Sequence, residues 1–371
     1  LKRHNIHLPK DPYWWDVVEK FFEIGEYHIA MLAQRHAVPV LGDAITAARR
    51  PQIRSLLEET SIGASAENVV NAFERMITSA VREFPILSAV TKFEIAGARV
   101  CALDLMDVSP QGDATADRQT AIMYMLARHA LVRSWWMAKE SLAYVPEKFR
   151  LYHEKKLQEL NETPKRLCYD EFHRTSKSAS VRAQIVRDVR EGRKRSVQIV
   201  LASQLIDDFD DSMVDLATGV WILGTAVSEG AVDRAKERFG LTNTARNVIR
   251  YRLTGPRSSG APCLFVLGTK DGRYEQHLIN TLGPIELWAL STTTDDVTIR
   301  SRLYDRLGAA RARRALAASF PGGSAAAEIK RRVFMKADQS DGKPSSAAVS
   351  EVIDEIVQEI VDLVLKTEAK M

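Results

Sequence analysis

The 371-residue sequence has little cysteine, no long apolar run and a small net charge. Its three cysteines, Cys101, Cys168 and Cys263, are too few and too far apart for a disulfide framework or a zinc site. We therefore expect them to be buried strand residues of a protein in a reducing compartment. No apolar run approaches the ~18–20 residues that a membrane-spanning helix needs. The formal net charge of +4 does not by itself indicate a nucleic-acid partner, because that depends on how the basic residues cluster.

The sequence also lacks the phosphate-binding loop Gly-x-x-x-x-Gly-Lys-Ser/Thr, whose backbone N–H groups enclose phosphate. Its one Gly-Lys pair, Gly342-Lys343, is followed by Pro344, and Ala337 stands where the first glycine of the loop would be. We therefore expect this chain by itself to bind nucleotide poorly. Because the first residue is Leu1 and not Met, we also expect the chain to be part of a longer protein.

Two short apolar runs nevertheless end in polar residues that suit nucleotide hydrolysis. The run Lys165–Tyr169 precedes Asp170-Glu171, and the run Val197–Ala202 precedes Ser203-Gln204. A helix-length basic segment, Arg182–Arg195, separates them. Because the carboxyl ends of parallel strands meet at one edge of a sheet, Ser203-Gln204 can lie beside the acids. A pair of solvated loop acids is the alternative interpretation.

This layout predicts the hydrolytic half of a P-loop ATPase with ATP and Mg²⁺ as cofactors. In such a site Asp170 holds Mg²⁺ through water, Glu171 activates the attacking water, and Gln204 senses the γ-phosphate, with Ser203 also against the nucleotide. We expect His173 to be a structural, hydrogen-bonded histidine, because no cysteine or histidine stands at metal-ligand spacing from it.

Basic residues follow at the end of the helix that leads into the second strand. Arg190, Arg193 and Lys194 occupy the position from which ring ATPases extend an arginine finger into the neighbouring subunit's nucleotide. The alternative, which we weigh equally, is that these three residues form a solvated charged face.

The rest of the chain predicts three parts and an α/β fold with an incomplete RecA-like P-loop ATPase core, a parallel sheet with flanking helices. Residues 1–90 are expected to form an all-helical domain. Residues 91–290 form the ATPase core with its Walker B and sensor strands, and residues 291–371 form a helical extension.

Local patterns give the details of these parts. In the first, Asp11-Pro12 is expected to start a helix with buried aromatic residues such as Trp14 and Trp15, and Ser65 is expected to cap a later helix. In the second, Arg99–Met106 and Val220–Leu223 are expected to be strands of the parallel sheet. Ser228 is expected to begin a helix, and Asp271-Gly272 indicates a hairpin.

In the third part, residues 337–346 are expected to be a polar linker. The helix after it carries apolar residues at helical spacing from Val349 to Leu365, so one side must be buried against the body of the protein or a partner.

The order of these parts, and two late motifs, resemble the C-terminal region of the DotO/IcmB family. The motifs are Leu303-Tyr-Asp-Arg-Leu-Gly308 and Phe320-Pro-Gly-Gly-Ser324, with Glu328-Ile-Lys-Arg-Arg332 after them. DotO/IcmB proteins are the large cytoplasmic ATPases of type IVB (Dot/Icm) secretion systems and are related to TraU of IncI-type conjugation systems. The family has its P-loop upstream of the helical module, so the resemblance implies that this loop precedes Leu1.

The resemblance further implies a hexamer, or a hexamer of dimers, in the cytoplasm at the face of the inner membrane. Its implied partners are a second ATPase ring and other channel components, and its implied cargo is either protein effectors or relaxase-bound DNA. From the apolar side of the last helix we infer a docking surface. For the basic residues near Arg311 and Lys330 we rank an acidic protein partner above nucleic acid or phospholipid.

Two other functions compete with the secretion ATPase. A non-hydrolytic docking module would recruit a partner ATPase ring and would still bind that ring after Glu171 is replaced. A DNA-translocating or helicase-type ATPase is the lesser alternative, because the Ser-Ala-Thr motif and the later arginine-containing motif of superfamily-two helicases are both absent.

Overall fold

The computed structural model describes residues 1–57, 61–62, 67–92, 95, 98–110, 112–224, 228–257, 259–339 and 346–368. The chain forms two compact units, Leu1–Asp208 and Phe209–Met371. The predicted mixture of helices and strands is confirmed, and helices predominate. The predicted partition at residues 90 and 290 is not tested by this division and stays a prediction.

The first unit is mostly helical around a small parallel sheet. Its helices are α1 (Trp14–Glu23), α2 (Tyr27–Ala37), α3 (Leu41–Ala48), α4 (Pro51–Leu56), α5 (Val69–Glu83), α6 (Ala114–Val132), α7 (Glu147–Glu162) and α8 (Ala179–Gly192). Its strands are β1 (Ser61–Ile62) and β2 (Glu67–Asn68), which form a short antiparallel pair, and β3 (Lys165–Tyr169) and β4 (Val197–Leu201), which form a parallel pair.

Helix α1 begins later than its sequence predicts. It starts at Trp14, after the N-cap residue Tyr13, whose N–H donates to the Asp16 carboxylate at 2.7 Å. This hydrogen bond takes the place of the cap expected from Asp11-Pro12. Its first aromatic residues, Trp14 and Trp15, are exposed, which corrects the expectation that the aromatic residues of this helix are all buried.

The core of this region lies one to two turns further along α1. Val18 and Phe21 pack against α2. Phe22 contacts Phe149 on α7 edge to face, with ring centres 4.7 Å apart. Because α7 leads directly into β3, this contact joins the first helices to the segment that carries the acids.

The start of α5 shows why the first 90 residues are not helical throughout. The predicted cap Ser65 lies outside the described residues. The β1–β2 pair precedes the helix, and the Asn68 side chain accepts the Val70 N–H at 2.9 Å. Asparagine is among the best N-cap residues, so α5 begins directly after it.

The prediction of a buried strand at Arg99–Met106 is wrong. Residues 101–105 belong to no strand or helix, and Val100 is 92% exposed. Alternating apolar residues form a strand only where a neighbouring strand supplies hydrogen bonds, and none does so here among the described residues. Helix α6 follows with Asp113 as its cap, the carboxylate accepting the N–H of Ala116 at 2.8 Å.

The parallel pair β3–β4 is confirmed and runs in register from Lys165 opposite Val197 to Tyr169 at the other end. Leu167 and Tyr169 face the interior, whereas Cys168 between them is exposed. Alternate residues of a strand point to opposite faces, which explains the difference. The expectation of buried cysteines therefore holds for Cys263 and is wrong for Cys168 and Cys101, both exposed.

A buried ion pair fixes α8 against α6. The Asp188 carboxylate has no exposed surface and accepts hydrogen bonds from both Nε and Nη2 of Arg128. It also accepts from Trp136 Nε1 at 3.2 Å and from Gln184 Nε2 at 2.9 Å. A buried carboxylate is tolerated only with such partners, so Asp188 orients the helix between the two strands.

The second unit combines an antiparallel sheet with a helical bundle. Its helices are α9 (Asp211–Leu216), α10 (Glu229–Phe239), α11 (Asn243–Tyr251), α12 (Pro284–Leu290), α13 (Thr294–Leu307), α14 (Ala309–Ser319), α15 (Ala326–Gln339) and α16 (Ser346–Glu368). Its strands are β5 (Gly219–Leu223), β6 (Ala261–Thr269) and β7 (Gly272–Asn280), in the order β5-β6-β7.

The sheet departs from the predicted parallel topology. The strand predicted at Val220–Leu223 is present as β5, but it runs antiparallel to β6. The predicted hairpin at Asp271-Gly272 is confirmed, because β6 and β7 pair up to Thr269 opposite Gly272. The predicted helix start is also confirmed, since the Ser228 side chain accepts the Ala231 N–H at 3.2 Å and caps α10.

The bundle buries the apolar side of α16. This side packs against α13 and α15 in a common core that includes Ile299, Leu303, Ile329, Val352, Ile356 and Val357. Burial against the body of the protein is therefore confirmed, and the interpretation of this side as a partner's docking surface is wrong. Residues 337–339 of the predicted linker belong to α15, and residues 340–345 lie outside the described residues. No helix in the described ranges is both long and apolar enough to cross a membrane.

The motif Phe320–Ser324 forms the turn between α14 and α15. Gly323 has φ +78°, and a Cβ atom there would lie 2.5 Å from Leu287 Cβ, so glycine is required on two grounds. A Cβ atom at the adjacent Gly322 would meet no atom within 4 Å. The Ser324 hydroxyl oxygen accepts the Ala326 N–H at 3.1 Å and helps to start α15.

Basic residues of α15 pair largely within the chain. Hydrogen bonds from Arg331 and then Arg332 lower the pKa of the Glu328 carboxyl to about 2. Arg332 also donates to Glu359 on α16 at 2.7 Å. Part of the basic surface therefore already has acidic partners, while Lys330 stays exposed. An external acidic protein partner remains a prediction.

Candidate functional site

The candidate site lies in the first unit, where β3 and β4 end. Hydrogen bonding continues past the strands, with Ala202 N–H donating to the Tyr169 carbonyl at 2.9 Å and Phe172 N–H to the Ala202 carbonyl at 2.8 Å. These two bonds hold the segment after β3 against the segment after β4. The polar residues that follow each strand are therefore brought to the same edge of the sheet.

Glu171 and Gln204 are in contact at this edge. Gln204 Nε2 lies 3.3 Å from Glu171 Oε2 and 3.4 Å from Glu171 Oε1. The predicted adjacency of Gln204 is confirmed for Glu171, whereas the catalytic roles stay predictions. The Asp170 side chain is exposed, and its Oδ1 accepts the Glu171 N–H at 3.0 Å.

The backbone at Glu171 has φ 50° and ψ 45°, the left-handed region that non-glycine residues rarely adopt. Such a conformation costs about 1–3 kcal/mol and persists only where the surroundings impose it. Here the buried Phe172 imposes it, because its N–H is bonded to Ala202 and its ring lies under the Arg182 guanidinium at 4.9 Å. The result is that the Glu171 carboxylate points toward Gln204.

Ser203 is oriented differently from its neighbour. Its hydroxyl donates a hydrogen bond to the Asp208 carboxylate in the same loop, and Arg182 donates to the Asp208 main-chain carbonyl. These contacts order the loop after β4. Contact of Ser203 with a nucleotide stays a prediction.

His173 is not the hydrogen-bonded histidine that we expected. Its Nδ1 atom is buried and has no hydrogen-bond partner among the described residues. Glu171 Oε2 lies 3.2 Å from this nitrogen, close enough for charge attraction when the ring is protonated, but not in hydrogen-bond geometry. The imidazole therefore lies beside the acid with one ring nitrogen free.

Arg190, Arg193 and Lys194 lie at the opposite end of α8. The helix begins next to the site and runs for 14 residues, about 20 Å, before the turn at Arg193. All three side chains are exposed, and within one chain they do not approach Asp170. Their contact with a neighbouring subunit's nucleotide stays a prediction.

Two tyrosines near the acids, Tyr169 and Tyr124, are buried. Burial, with a further contribution from Asp188, raises the pKa of the Tyr169 hydroxyl, which has no hydrogen-bond partner among the described residues. Burial also raises the pKa of Tyr124, an effect that the positive charge of Arg174 opposes and the charges of the two acids reinforce. Both phenols therefore stay protonated at neutral pH, and neither adds negative charge to the site.

A cavity of about 290 Å³ adjoins Gln204 and His173. Its further lining residues include Thr120, Arg174, Lys177 and Ser178. None of these four residues was predicted from the sequence as a site residue. The sequence pattern that could have indicated them is the basic Arg174 one turn after Glu171, followed by a serine at the start of a helix.

Binding of Mg²⁺ at this site stays a prediction. Among the described residues, no group of three or more His, Cys, Asp or Glu side chains is placed to hold a metal by itself. Mg²⁺ commonly uses one or two carboxylates together with phosphate oxygens and water, and the exposed Asp170 carboxylate can serve in that way.

Comparison with family models, with curated proteins and with solved structures finds no match to this chain.

Proposed function

We propose that this chain supplies the water-activating residues of a cytoplasmic ATPase subunit in a type IV (IVB) secretion or conjugation machine. Such a subunit couples ATP hydrolysis to substrate transfer or to apparatus assembly. The observation that carries the proposal is the contact between Glu171 and Gln204 at the carboxyl ends of two adjacent parallel strands. Ligands of parallel α/β sheets bind at this edge, which supports a RecA-like origin for the pair.

The geometry gives each residue a distinct task. Glu171 offers a partly exposed carboxylate that can accept a proton from water. Gln204 donates its amide N–H to that carboxylate, and its amide oxygen remains able to accept from the same water. Asp170 would hold Mg²⁺, which supplies charge neutralisation at the phosphates when it is bound.

The two late motifs, Leu303–Gly308 and Phe320–Ser324, lie in the second unit and support the family resemblance. Their residues stabilise the fold of that unit and do not belong to the candidate site. Leu303 and Leu307 are buried in the bundle, and Gly323 forms a required turn. The proposed hexamer, or hexamer of dimers, the second ATPase ring and the position at the inner membrane rest on this resemblance. So does the proposal that Arg190, Arg193 or Lys194 acts in a neighbouring subunit.

Steady-state ATP hydrolysis by the gene product at its native length tests the proposal. Glu171→Gln keeps the size and the hydrogen bonding of the side chain but removes the base. We expect turnover to fall about 10²–10⁴-fold without loss of the fold. The matched control is Glu154→Gln, an exposed glutamate on α7, which should leave turnover unchanged. Unchanged turnover in Glu171→Gln would show that this carboxylate is not the base.

One observation favours a docking module as a second candidate. On one face of the β5–β7 sheet, Trp221 is 57% exposed and Leu223 is 71% exposed. An apolar sheet face of this kind is typical of a surface that a partner covers. A docking module would retain its partner ring in a pull-down after Glu171→Gln and lose it after Trp221→Lys.

A further inference from the structure

One side of the antiparallel sheet in the second unit carries no charge. Residues paired across neighbouring strands point to the same side of a sheet, so Trp221 of β5 lies beside Phe265 of β6, with ring centres 4.1 Å apart. Within the three strands, all of which the structure describes, every residue on this side is uncharged, and it includes Leu223, Leu267, Tyr274 and Leu278. We call this side the Trp221 face. The opposite side packs against α11 and buries Leu264.

Strand β5 lies at the edge of this sheet and presents free backbone groups there. The Gly268 N–H donates to the Thr218 carbonyl at 2.9 Å, so these two residues form a hydrogen-bonded pair of the β5–β6 ladder. Hydrogen-bonded and non-hydrogen-bonded pairs alternate along an antiparallel ladder. The N–H and C=O groups of Gly219, Trp221 and Leu223 therefore point away from β6, and none of them has a backbone partner among the described residues.

This edge lacks the features that usually prevent pairing with another chain. Edge strands of soluble proteins are commonly protected by charged side chains, proline or a bulge. The opposite edge strand, β7, carries Arg273 and Glu275. Strand β5 reads Gly-Val-Trp-Ile-Leu, has neither charge nor proline, and pairs regularly with β6 from Gly219 to Leu223. A regular, apolar and unprotected edge is suited to pairing with a further strand.

The register of β5 fits a second copy of the same strand. A two-fold axis through Trp221 places Trp221 opposite its own copy and Gly219 opposite Leu223 of the other copy. Each of these pairs joins residues whose backbone groups point outward, so each can exchange both of its hydrogen bonds, as antiparallel pairing requires. A two-fold axis also brings every nearby charge close to its like, which disfavours association. The uncharged Trp221 face avoids this repulsion and offers no charge to an acidic or basic partner.

We propose that the chain forms a two-fold dimer through antiparallel pairing of β5 with β5 of a second copy. The two three-stranded sheets then become one continuous sheet, and the Trp221 faces of both copies lie side by side. Contact with its own copy covers part of the Trp221 ring, which is 57% exposed in the single chain. The interface lies in the second unit and uses no residue of the candidate site, so it goes beyond the proposed ATPase function. It rests on the strand register and not on the ring expected from the family resemblance.

Sedimentation equilibrium of the purified 371-residue chain, with no other protein present, tests this proposal. We expect a concentration-dependent dimer with twice the 41.5 kDa mass of one chain. Trp221→Lys places two ammonium groups opposite each other at the two-fold axis and should weaken dimerisation about tenfold or more. Leu223→Lys, at a side chain that is 71% exposed, should also weaken it and replaces Trp221→Lys if that variant does not fold. Far-UV circular dichroism of each variant verifies the fold.

Tyr274→Lys is the matched control because it adds the same charge to the same face at an exposed position. Tyr274 lies on β7, two strand spacings or about 10 Å from the pairing edge, so the dimer dissociation constant should change less than about twofold. Equal weakening by Tyr274→Lys and Trp221→Lys would overturn the proposal, because it would indicate sheets packed face to face.

Two further outcomes would also overturn it. A chain that stays monomeric up to about 100 µM would show that β5 does not pair with its copy. A dimer that persists unchanged in both Trp221→Lys and Leu223→Lys would show that the contact lies elsewhere. Dimerisation should be unchanged in Glu171→Gln, so its failure and the failure of the ATPase proposal are distinguishable.

Discussion

The buried ion pair between Arg128 and Asp188 allows a double-mutant test of how the site is held. Exposure of the two side chains is 12% and 0%, so solvent screens the pair little. Arg128→Met alone leaves the Asp188 carboxylate buried without a counter-ion. Asp188→Leu alone leaves the Arg128 guanidinium buried without a counter-ion. Each single variant should lose about 3–5 kcal/mol of unfolding free energy.

The double variant Arg128→Met/Asp188→Leu should be more stable than either single variant. It replaces the pair by apolar side chains of similar volume, an exchange that is often close to neutral. The remaining cost is the lost acceptor of Trp136 Nε1, about 1–3 kcal/mol. The two single losses sum to about 6–10 kcal/mol, so the expected interaction energy between the two positions is about 3 kcal/mol or more.

Urea unfolding followed by circular dichroism measures these differences, and hydrogen exchange at α6 and α8 assigns them to the first unit. Arg187→Met on the exposed side of α8 is the control and should lie within about 0.5 kcal/mol of the unmodified chain. If the double variant lost the sum of the two single losses, the positions would be uncoupled. The ion pair would then not be what orients α8.

Two further predictions concern the second unit. The folded-state pKa of Glu328, about 2, lies below its ordinary value of 4.5, so the ionised carboxylate stabilises the fold at neutral pH and this contribution is lost as the pH falls from 4.5 to 2. Glu328→Gln should therefore lower the urea midpoint at pH 7 and have progressively less effect below pH 4.5; a pH-independent difference would contradict the assignment. Gly323→Ala should cost about 1–3 kcal/mol in thermal unfolding because of its positive φ and close contact, whereas Gly322→Ala should be nearly neutral. Equal effects of the two substitutions would refute the steric argument.

Local sequence patterns predicted those elements that local interactions stabilise. The Ser228 cap starts α10 as expected, Asp271-Gly272 marks the hairpin, and helical spacing identified the buried side of α16. The contact of Glu171 with Gln204 was also predictable, because parallel pairing of two consecutive strands brings their carboxyl ends together. Each of these inferences uses residues close in sequence or one pairing rule.

Tertiary structure decided everything that depends on a distant partner. Arg99–Met106 has the alternation of a strand but finds no strand to pair with among the described residues, and β5 pairs antiparallel with a strand about 40 residues further along the sequence. A sequence records which groups are present, whereas pairing and burial depend on long-range contacts that local periodicity does not encode.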